Sequence, residues 1–361
     1  MELLKKIWAS MQFWKNKSGA GDDDRMGNST SGGVLSLTRL ISVSVIALIL
    51  IIYVIGIYWS AEPEMFNIHD ENAYQSIGQD KRFIVGYTTV GTTEKVAKTL
   101  LDKPGGYLSN DIMPPSNMLD NIPSWEFGVL VQVRDIVSIL RNHMSRSQSQ
   151  SLENKFLKDA EPLFNIDHLS WIMPDAEDSY RAGIEKLAGY RNNLSLLDSP
   201  EHQFYARADN LGVWLALVEK RLGGLSQRLA ASVGQERINT DLSGDAEALQ
   251  STQGARNLLV KTPWLEIDNT FYEARGACWA LIHLLKAVQV DFEPVLAKKN
   301  AKASLAQIIR ELESTQESFW SPVILNGSGF GLMANHSLVM ASYISRANAG
   351  LIDLRELLTK G

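Results

Sequence analysis

A mostly α-helical protein, with a single-pass transmembrane anchor followed by an α-helical bundle and at most a short strand element, is the fold class the sequence predicts. Three observations lead there. An uncharged apolar run covers Leu40 to Trp59, apolar residues recur every three or four positions over most of the rest, and a single stretch, Arg82 to Val90, has strand-like composition. With 361 residues, 45% hydrophobic and 21% charged, the chain is long enough for one large domain or two smaller ones. Its formal net charge of -6 supplies no global positive field, and no basic run interleaved with aromatics occurs in the bulk of the chain, so no nucleic-acid partner is expected. The one cysteine, Cys278, lies in "ACWALIHLL"; no intrachain disulfide can form, and a cysteine-based zinc site is excluded.

Residues 1–17, "MELLKKIWASMQFWKNK", set Leu4, Trp8 and Met11 on one helical face with lysines elsewhere. That is the pattern of an amphipathic cytoplasmic segment lying on an anionic leaflet or binding a partner helix; a frayed tail whose lysines only set topology reads the same residues equally well. Residues 18–39 are glycine-rich and polar and predict a flexible linker.

Residues 40–59, "LISVSVIALILIIYVIGIYW", match the roughly twenty residues an α-helix needs to cross a bilayer core. Backbone groups in lipid must be bonded within the segment, which a helix achieves, and Tyr58 and Trp59 suit the far interface. A globular core helix seldom runs five turns without a polar face. A cleavable signal peptide fits poorly, because a long charged segment precedes the run and Trp59 stands where a small residue is wanted before Ala61. Lys5, Lys6, Lys15, Lys17, Arg25 and Arg39 precede the run, whereas Glu62, Glu64, Asp70 and Glu71 follow it. The positive-inside rule then predicts a cytoplasmic N-terminus and an exterior domain over 60–361, periplasmic in a Gram-negative inner membrane.

In that exterior part, "RFIVGYTTV" predicts a short strand near the membrane, ended by Gly91. Thr92 or Thr93 is the expected cap of a helix through "EKVAKTLLDK", closed by Pro104-Gly105-Gly106. The proline-bearing "YLSNDIMPPSNMLDNIP" reads as an extended connection. From Ser124, Val129, Leu130, Val133, Val137, Leu140 and Met144 mark an amphipathic helix that stops in "SRSQSQS", followed by the short "LENKFLKDA". A helix opens at Pro174, with Asp175, Glu177 and Asp178 favourable at its N-terminal dipole, and repeats Tyr180, Ile184, Leu187 and Leu194. Another is expected from Ser199-Pro200-Glu201 to Gly223-Gly224.

The polar stretch 235–263 reads as a surface excursion holding one short helix, and as the best candidate for a boundary within the domain. Beyond it Asp268 is the expected cap of a helix through Phe271, Cys278, Leu281, Leu285 and Val288. Pro294 opens another through Leu305, Ile308, Ile309 and Leu312, and a last helix runs from about Asn335 to Leu358.

Catalytic signals are sparse. The six histidines include no i, i+4 pair, so no zincin motif exists, and His283 within "WALIHLLK" reads as a core or interface histidine with a satisfied ring nitrogen. No Gly-x-Ser-x-Gly elbow occurs, and "GSGFG" follows no convincing strand, so neither a hydrolase nucleophile nor a nucleotide loop is expected, and no metal or cofactor is implied. One stretch, "ESFWSPVILNGSGFGLMANHS", invites a closer look. A glycosidase acid must keep its proton near neutral pH, which burial beside aromatics achieves, and Phe319, Trp320 and Phe330 neighbour Glu317.

Glu317, Ser318, Trp320, Pro322, Gly329 and Gly331-Leu332-Met333 resemble the pattern around the catalytic glutamate of lytic transglycosylases, which would make Glu317 a general acid acting on peptidoglycan. The last glycine is one position early, and only the 44 residues Ser318 to Gly361 follow, mostly one helix, too few for that family's sugar groove. The bland reading has Glu311, Glu313 and Glu317 on a solvated helix face, Trp320 anchoring its end and the glycines turning into the last helix. A broader resemblance rests on "LLDKPGGYLSNDIMPP", "NMLDNIPSWEFGVLVQVRD" and "NGSGFGLMANHSLVMASYISRANAGLIDLRELL". These are similar to a Gram-negative membrane family, domain of unknown function 2333, which implies the anchor-plus-helices layout and brings no activity, cofactor or catalytic residue. The functional expectation is a non-catalytic envelope binding or scaffold protein, with an envelope protein or peptidoglycan as partner and the loops "GGYLSNDIMPP" and "NGSGFG" as contact surfaces. Oligomeric state leaves no trace in the sequence.

Overall fold

Apolar stripes at helical spacing become helices almost throughout the computed structural model, which describes residues 31–68, 84–147, 152–196, 203–238, 257–319, 321, 323–329 and 331–360. The chain divides into two units, Met1–Ile52 and Tyr53–Gly361. Helix α1 (Ser31–Trp59) supplies the described part of the first and lends its last turns to the second. It begins at Ser31 and not at Leu40, so 31–39 is helix where a linker is expected; once nucleated, a helix gains one hydrogen bond per residue it adds. The amphipathic segment 1–17 lies outside the described residues.

The second unit is built on two long helices, α3 (Asn121–Ile139) and α7 (Ile267–Asp291), which share its most extensive packing. They cross backbone against backbone. A Cβ on Gly128 would lie 2.0 Å from the Glu273 carbonyl oxygen, and one on Gly276 2.1 Å from that of Trp125, so only glycine at both positions permits this approach. The two-helix core is covered by α2 (Tyr87–Asp102), α4 (Lys155–Phe164) and α5 (Ala176–Leu194) on one side. On the other lie α6 (Ala208–Ala230), α9 (Lys302–Glu313) and α10 (His336–Lys360), with α6 and α10 paired along their lengths. The stripe residues Val129, Leu130, Val133, Val137, Leu140 and Met144 are fully buried, as their spacing predicts. Asp175 caps α5 by accepting the Glu177 N–H at 2.8 Å, and Asn335 caps α10 by accepting that of Leu338 at 2.8 Å.

Several elements differ from expectation, each for a tertiary reason. Residues 87–90 are not a strand: α2 starts at Tyr87, upstream of Thr92 and Thr93. Its N-terminus is capped from a distance by Asp291 at the end of α7, whose Oδ2 accepts both the Thr89 N–H and its hydroxyl at 2.6 Å. Tyr87 through Glu94 are all buried, so the first turns show no polar face to betray a helix. Pro123 lies in the first turn of α3, where its missing N–H costs nothing. Helix α6 opens at Ala208 and continues through Gly223 and Gly224, because Leu225 and Leu229 are buried beyond them, in a helix packed against α10. Asp268 is inside α7, which a 3₁₀ turn over Trp264–Glu266 precedes. The helix opened by Pro294 is two: α8 (Glu293–Lys298) is followed by Asn300, whose φ of 51° lets the Ala301 N–H close back on the Leu296 carbonyl at 2.8 Å before α9 begins.

Strand structure appears elsewhere, in the polar excursion. There β1 (Gln235–Ile238) pairs antiparallel with β2 (Asn257–Val260), Gln235 opposite Val260, inside the second unit. The short helix expected between them falls outside the described residues.

Candidate functional site

The residue that organises the Glu317 region is Arg275, a charge on the apolar stripe of α7. Buried to 8% exposure, it donates from Nη1 to the carbonyls of Thr315 (2.9 Å) and Glu317 (3.0 Å), and from Nη2 to that of Gln316 (3.1 Å). These carbonyls end the α9 segment through the 3₁₀ turn Ser314–Gln316, so the guanidinium sits at the negative pole of a helical terminus. Its Nε bonds Glu62 at 2.6 Å, just past the end of α1, and Gln316 returns a bond from Nε2 to the Arg275 carbonyl at 3.1 Å. One side chain therefore fastens together the exit of α1, the middle of α7 and the chain leaving α9.

Beside it is a cleft of about 170 Å³, lined in part by Phe271, Glu317, Phe319, His336 and Tyr343. Phe319 stands edge-on to Phe271 (centroids 5.6 Å apart) and 5.3 Å from the His336 ring. His336 Nδ1 accepts the Leu325 N–H at 3.2 Å, which fixes the neutral tautomer with its proton on Nε2; partial burial moves its pKa down, in the same sense. Glu317 is exposed, in extended backbone (φ -57°, ψ 139°). The burial beside aromatics that the glycosidase reading needs is missing, and the cleft is smaller than the ~300 Å³ at which ligand pockets usually begin. Trp320, Pro322 and Phe330 lie outside the described residues, as do His69 and His202.

The bland reading also needs correction. Glu311 and Glu313 do not form a merely solvated face: they pair with Arg346 of α10 (2.8 Å) and Lys286 of α7 (2.6 Å), while Glu317 lies beyond the helix end. The glycine turn is tightly closed. Asn335 Nδ2 donates to Asn326 Oδ1 (2.8 Å) and to the Gly327 carbonyl (2.6 Å), and the Gly327 N–H reaches the Ala334 carbonyl at 3.0 Å. A Cβ on Gly327 would meet the Met333 carbonyl oxygen at 2.2 Å.

Two further polar centres are buried. Lys103 Nζ and Glu126 Oε1 form an ion pair at 2.6 Å with both side chains fully inaccessible, and Glu126 also accepts the N–H groups of Leu108 and Ser109 at 2.9 Å. Burial raises the Glu126 pKa, opposed by Lys103, the Ser109 hydroxyl and the Leu108 N–H. The loop "GGYLSN" is thus held by its own carboxylate partner. His283, at 0% exposure, donates from Nδ1 to the Trp279 carbonyl (2.7 Å) and accepts the Phe66 N–H on Nε2 (3.1 Å), with the Phe66 ring stacked on it at 3.8 Å. Both its ring nitrogens are satisfied, as its apolar context predicts. A second, more polar cavity of about 430 Å³ lies between Ser109, His168 and the Arg228–Glu273 ion pair. Among the described residues no group of three or more metal-ligating side chains assembles.

Arg275, Glu126 and Asp291 were legible as charges placed on apolar stripes, three or four residues from Cys278, Val129 and Val288 respectively. Their partners were not, being 40 or more residues away for Arg275 and 202 for Asp291.

Fold and clefts define a class: a helical-bundle protein with, among the described residues, one helix long and apolar enough to cross a membrane, and with internal charges that hold backbone in place. Over residues 31–361 the chain belongs to the family of uncharacterised proteins conserved in bacteria designated DUF2333. No curated protein and no solved structure matches it.

Proposed function

We propose that the chain is a single-pass protein of the bacterial inner membrane, N-terminus cytoplasmic and helical unit periplasmic, serving as a non-catalytic binding or scaffold component of the envelope. The observation that carries this reading is Arg39–Trp59: 21 helical residues of mean hydropathy 3.0, only 6% buried. A soluble core helix of that composition would be covered by protein, whereas residues 39–51 of this one are exposed on every face. The flanking charges orient it. The scaffold part of the reading is supported by how the cleft uses its polar groups, since Arg275 holds backbone carbonyls and His336 Nδ1 holds a backbone N–H.

Topology is tested with single cysteines at Ser18 and Ser318 in a Cys278→Ala background. A membrane-impermeant maleimide should reach position 318 once the outer membrane is opened, and position 18 only after lysis. The reverse pattern, or release of the chain from membranes by carbonate, would overturn the anchor reading. For the scaffold, photo-crosslinkers at exposed Ser318 and Leu332 in intact cells should trap one recurrent envelope protein or peptidoglycan; a spread of random neighbours at saturating yield would refute it.

A further inference from the structure

The final turns of α1, Tyr53–Trp59, belong to the same compact unit as the helical bundle, and loops of that unit pack directly on them. A Cβ on Gly56 would lie 3.5 Å from Cβ of Pro115 and 3.9 Å from Leu119, and one on Gly105 2.8 Å from the Trp59 indole. With a rise of ~1.5 Å per residue, Gly56 is about 4.5 Å short of the helix end at Trp59, on the side of the apolar run. The run itself, 21 residues, is matched to a hydrocarbon core of ~30 Å, which leaves no surplus length between its end and the bilayer. Pro115 therefore stands at the depth of the last apolar turn.

The side chains around Pro115 suit that depth. Pro115 is buried against α1, while Ile112, Met113 and Met118 point outward, 55%, 75% and 73% exposed. A second loop is tied to this one, since Tyr107 donates its hydroxyl to the His168 carbonyl at 3.2 Å and Asn110 Nδ2 donates to that of Ser170 at 3.0 Å. It too presents Trp171, Ile172 and Met173 to solvent, Met173 at 89%. The turn before α7 adds Trp264 and Leu265, 78% and 74% exposed, across the cavity that Leu169 and Glu266 both line. Single exposed apolar residues are ordinary, but three loops presenting them, the first packed on the last turn of α1, the second bonded to the first and the third across a cavity from the second, two with tryptophan, are not. Asp111, Asp120 and Asp268 flank the set in sequence, and their charges keep these loops out of the hydrocarbon core.

We propose that these three loops dip into the interface of the bilayer that α1 crosses, so that the helical unit rests on the membrane surface at a fixed attitude. The inference rests on the anchor reading above, and its test separates the two. Spin labels are placed singly at Ile46, Met113, Ile172, Leu265 and Lys298 of the full chain, in a Cys278→Ala background. The protein is reconstituted in bilayers of phosphatidylethanolamine and phosphatidylglycerol, and collisions with oxygen and with a water-soluble nickel chelate are compared. Lys298, on α8 beyond the far end of α7, is the aqueous reference.

The expected result is lipid-like accessibility at 46, full chelate access at 298, and at 113, 172 and 265 a loss of chelate collisions with a gain of oxygen collisions. Lipid-like accessibility at 46 with chelate access at all three loops equal to that at 298 would overturn the interfacial contact and leave the anchor standing. Protection of the loops from both reagents would assign them to a protein contact and overturn it too. Chelate access at 46 would remove the anchor reading, and the contact with it.

Discussion

Replacing Gly128 with alanine should force α3 and α7 apart, and the structure sets the size of the effect. The new Cβ would start 2.0 Å from the Glu273 carbonyl oxygen, and ordinary contact begins at 3.4 Å, so the two backbones must separate by about 1.4 Å. The obstacle is main chain in the middle of a helix, which cannot rotate out of the way. A radial gap of ~0.5–1 Å already loses a quarter to a half of the dispersion energy between facing atoms, and here the facing atoms include Trp125, Val129 and Trp279, all buried. Overpacking in a core costs ~1–3 kcal/mol and sometimes more, while alanine's helix preference over glycine returns up to ~1 kcal/mol. We expect a net loss of about 2 kcal/mol for Gly128→Ala, and a similar one for Gly276→Ala, equivalent to a fall in Tm of roughly 3 °C when an unfolding entropy of about 2.1 cal/mol/K per residue is summed over the unit Tyr53–Gly361. Gly212 and Gly224 are the controls: a Cβ at either meets nothing within 4 Å, so alanine there should leave Tm unchanged or raise it. Near-ultraviolet circular dichroism of the detergent-solubilised full chain during heating reads all four. Wild-type stability in Gly128→Ala, or equal damage from Gly212→Ala, would show that backbone contact between α3 and α7 is not what the glycines serve.

Acid titration should reveal two opposed contributions. Burial holds the His283 imidazole down at about 4, below its ordinary 6.5, so its share of stability is present above pH 6.5 and lost as pH falls toward 4, up to about 3 kcal/mol. Burial holds the Asp291 carboxyl up at about 6, above its ordinary 3.8, so the folded state keeps the proton and stability falls as pH rises from 4 to 6, by a similar amount. Denaturant unfolding across pH 4–7 should show His283→Gln gaining stability toward acid and Asp291→Asn losing it; identical slopes in the two variants would refute both assignments. Arg275→Gln should cost about 2–4 kcal/mol, because three backbone carbonyls and Glu62 lose their partner, and hydrogen exchange should accelerate over residues 314–319 first. Glu317→Gln should change stability by less than ~0.5 kcal/mol, and neither it nor the parent chain should release anhydromuropeptides from peptidoglycan; release that depends on Glu317 would restore the transglycosylase reading.

The helices that sequence periodicity located best are those with one apolar face and a local cap. Helix α5 has both, with Asp175 accepting the Glu177 N–H and Tyr180, Ile184 and Leu187 buried at the predicted spacing. The start of α2 had neither signal, since its cap, Asp291, comes from 202 residues away and its first turns are buried on every side; β-branched residues then looked like a strand. Gly223 and Gly224 read as a stop because glycine ends isolated helices, but burial of Leu225 and Leu229 against α10 carries the helix through. Gly128 and Gly276 gave no sign of their importance, because a close crossing is a relation between two helices and neither sequence holds it alone. The candidate site followed the same rule. Glu317 stood out by motif and proved exposed, whereas Arg275, hidden in an apolar run, joins three parts of the chain.

The strap that follows α1 also determines how the domain bears load. Glu62 is held by Arg275 and Phe66 by His283, two attachment points eight residues apart on the same helix. Eight residues of α-helix rise ~12 Å, close to the ~13 Å that four extended residues cover, so the strap lies along α7 as it passes from one bond to the next. Tension along this line shears both bonds together; they cannot be peeled open one at a time. On the anchor reading proposed above, pull on α1 is thereby delivered into α7, 25 residues long and buried over most of its length.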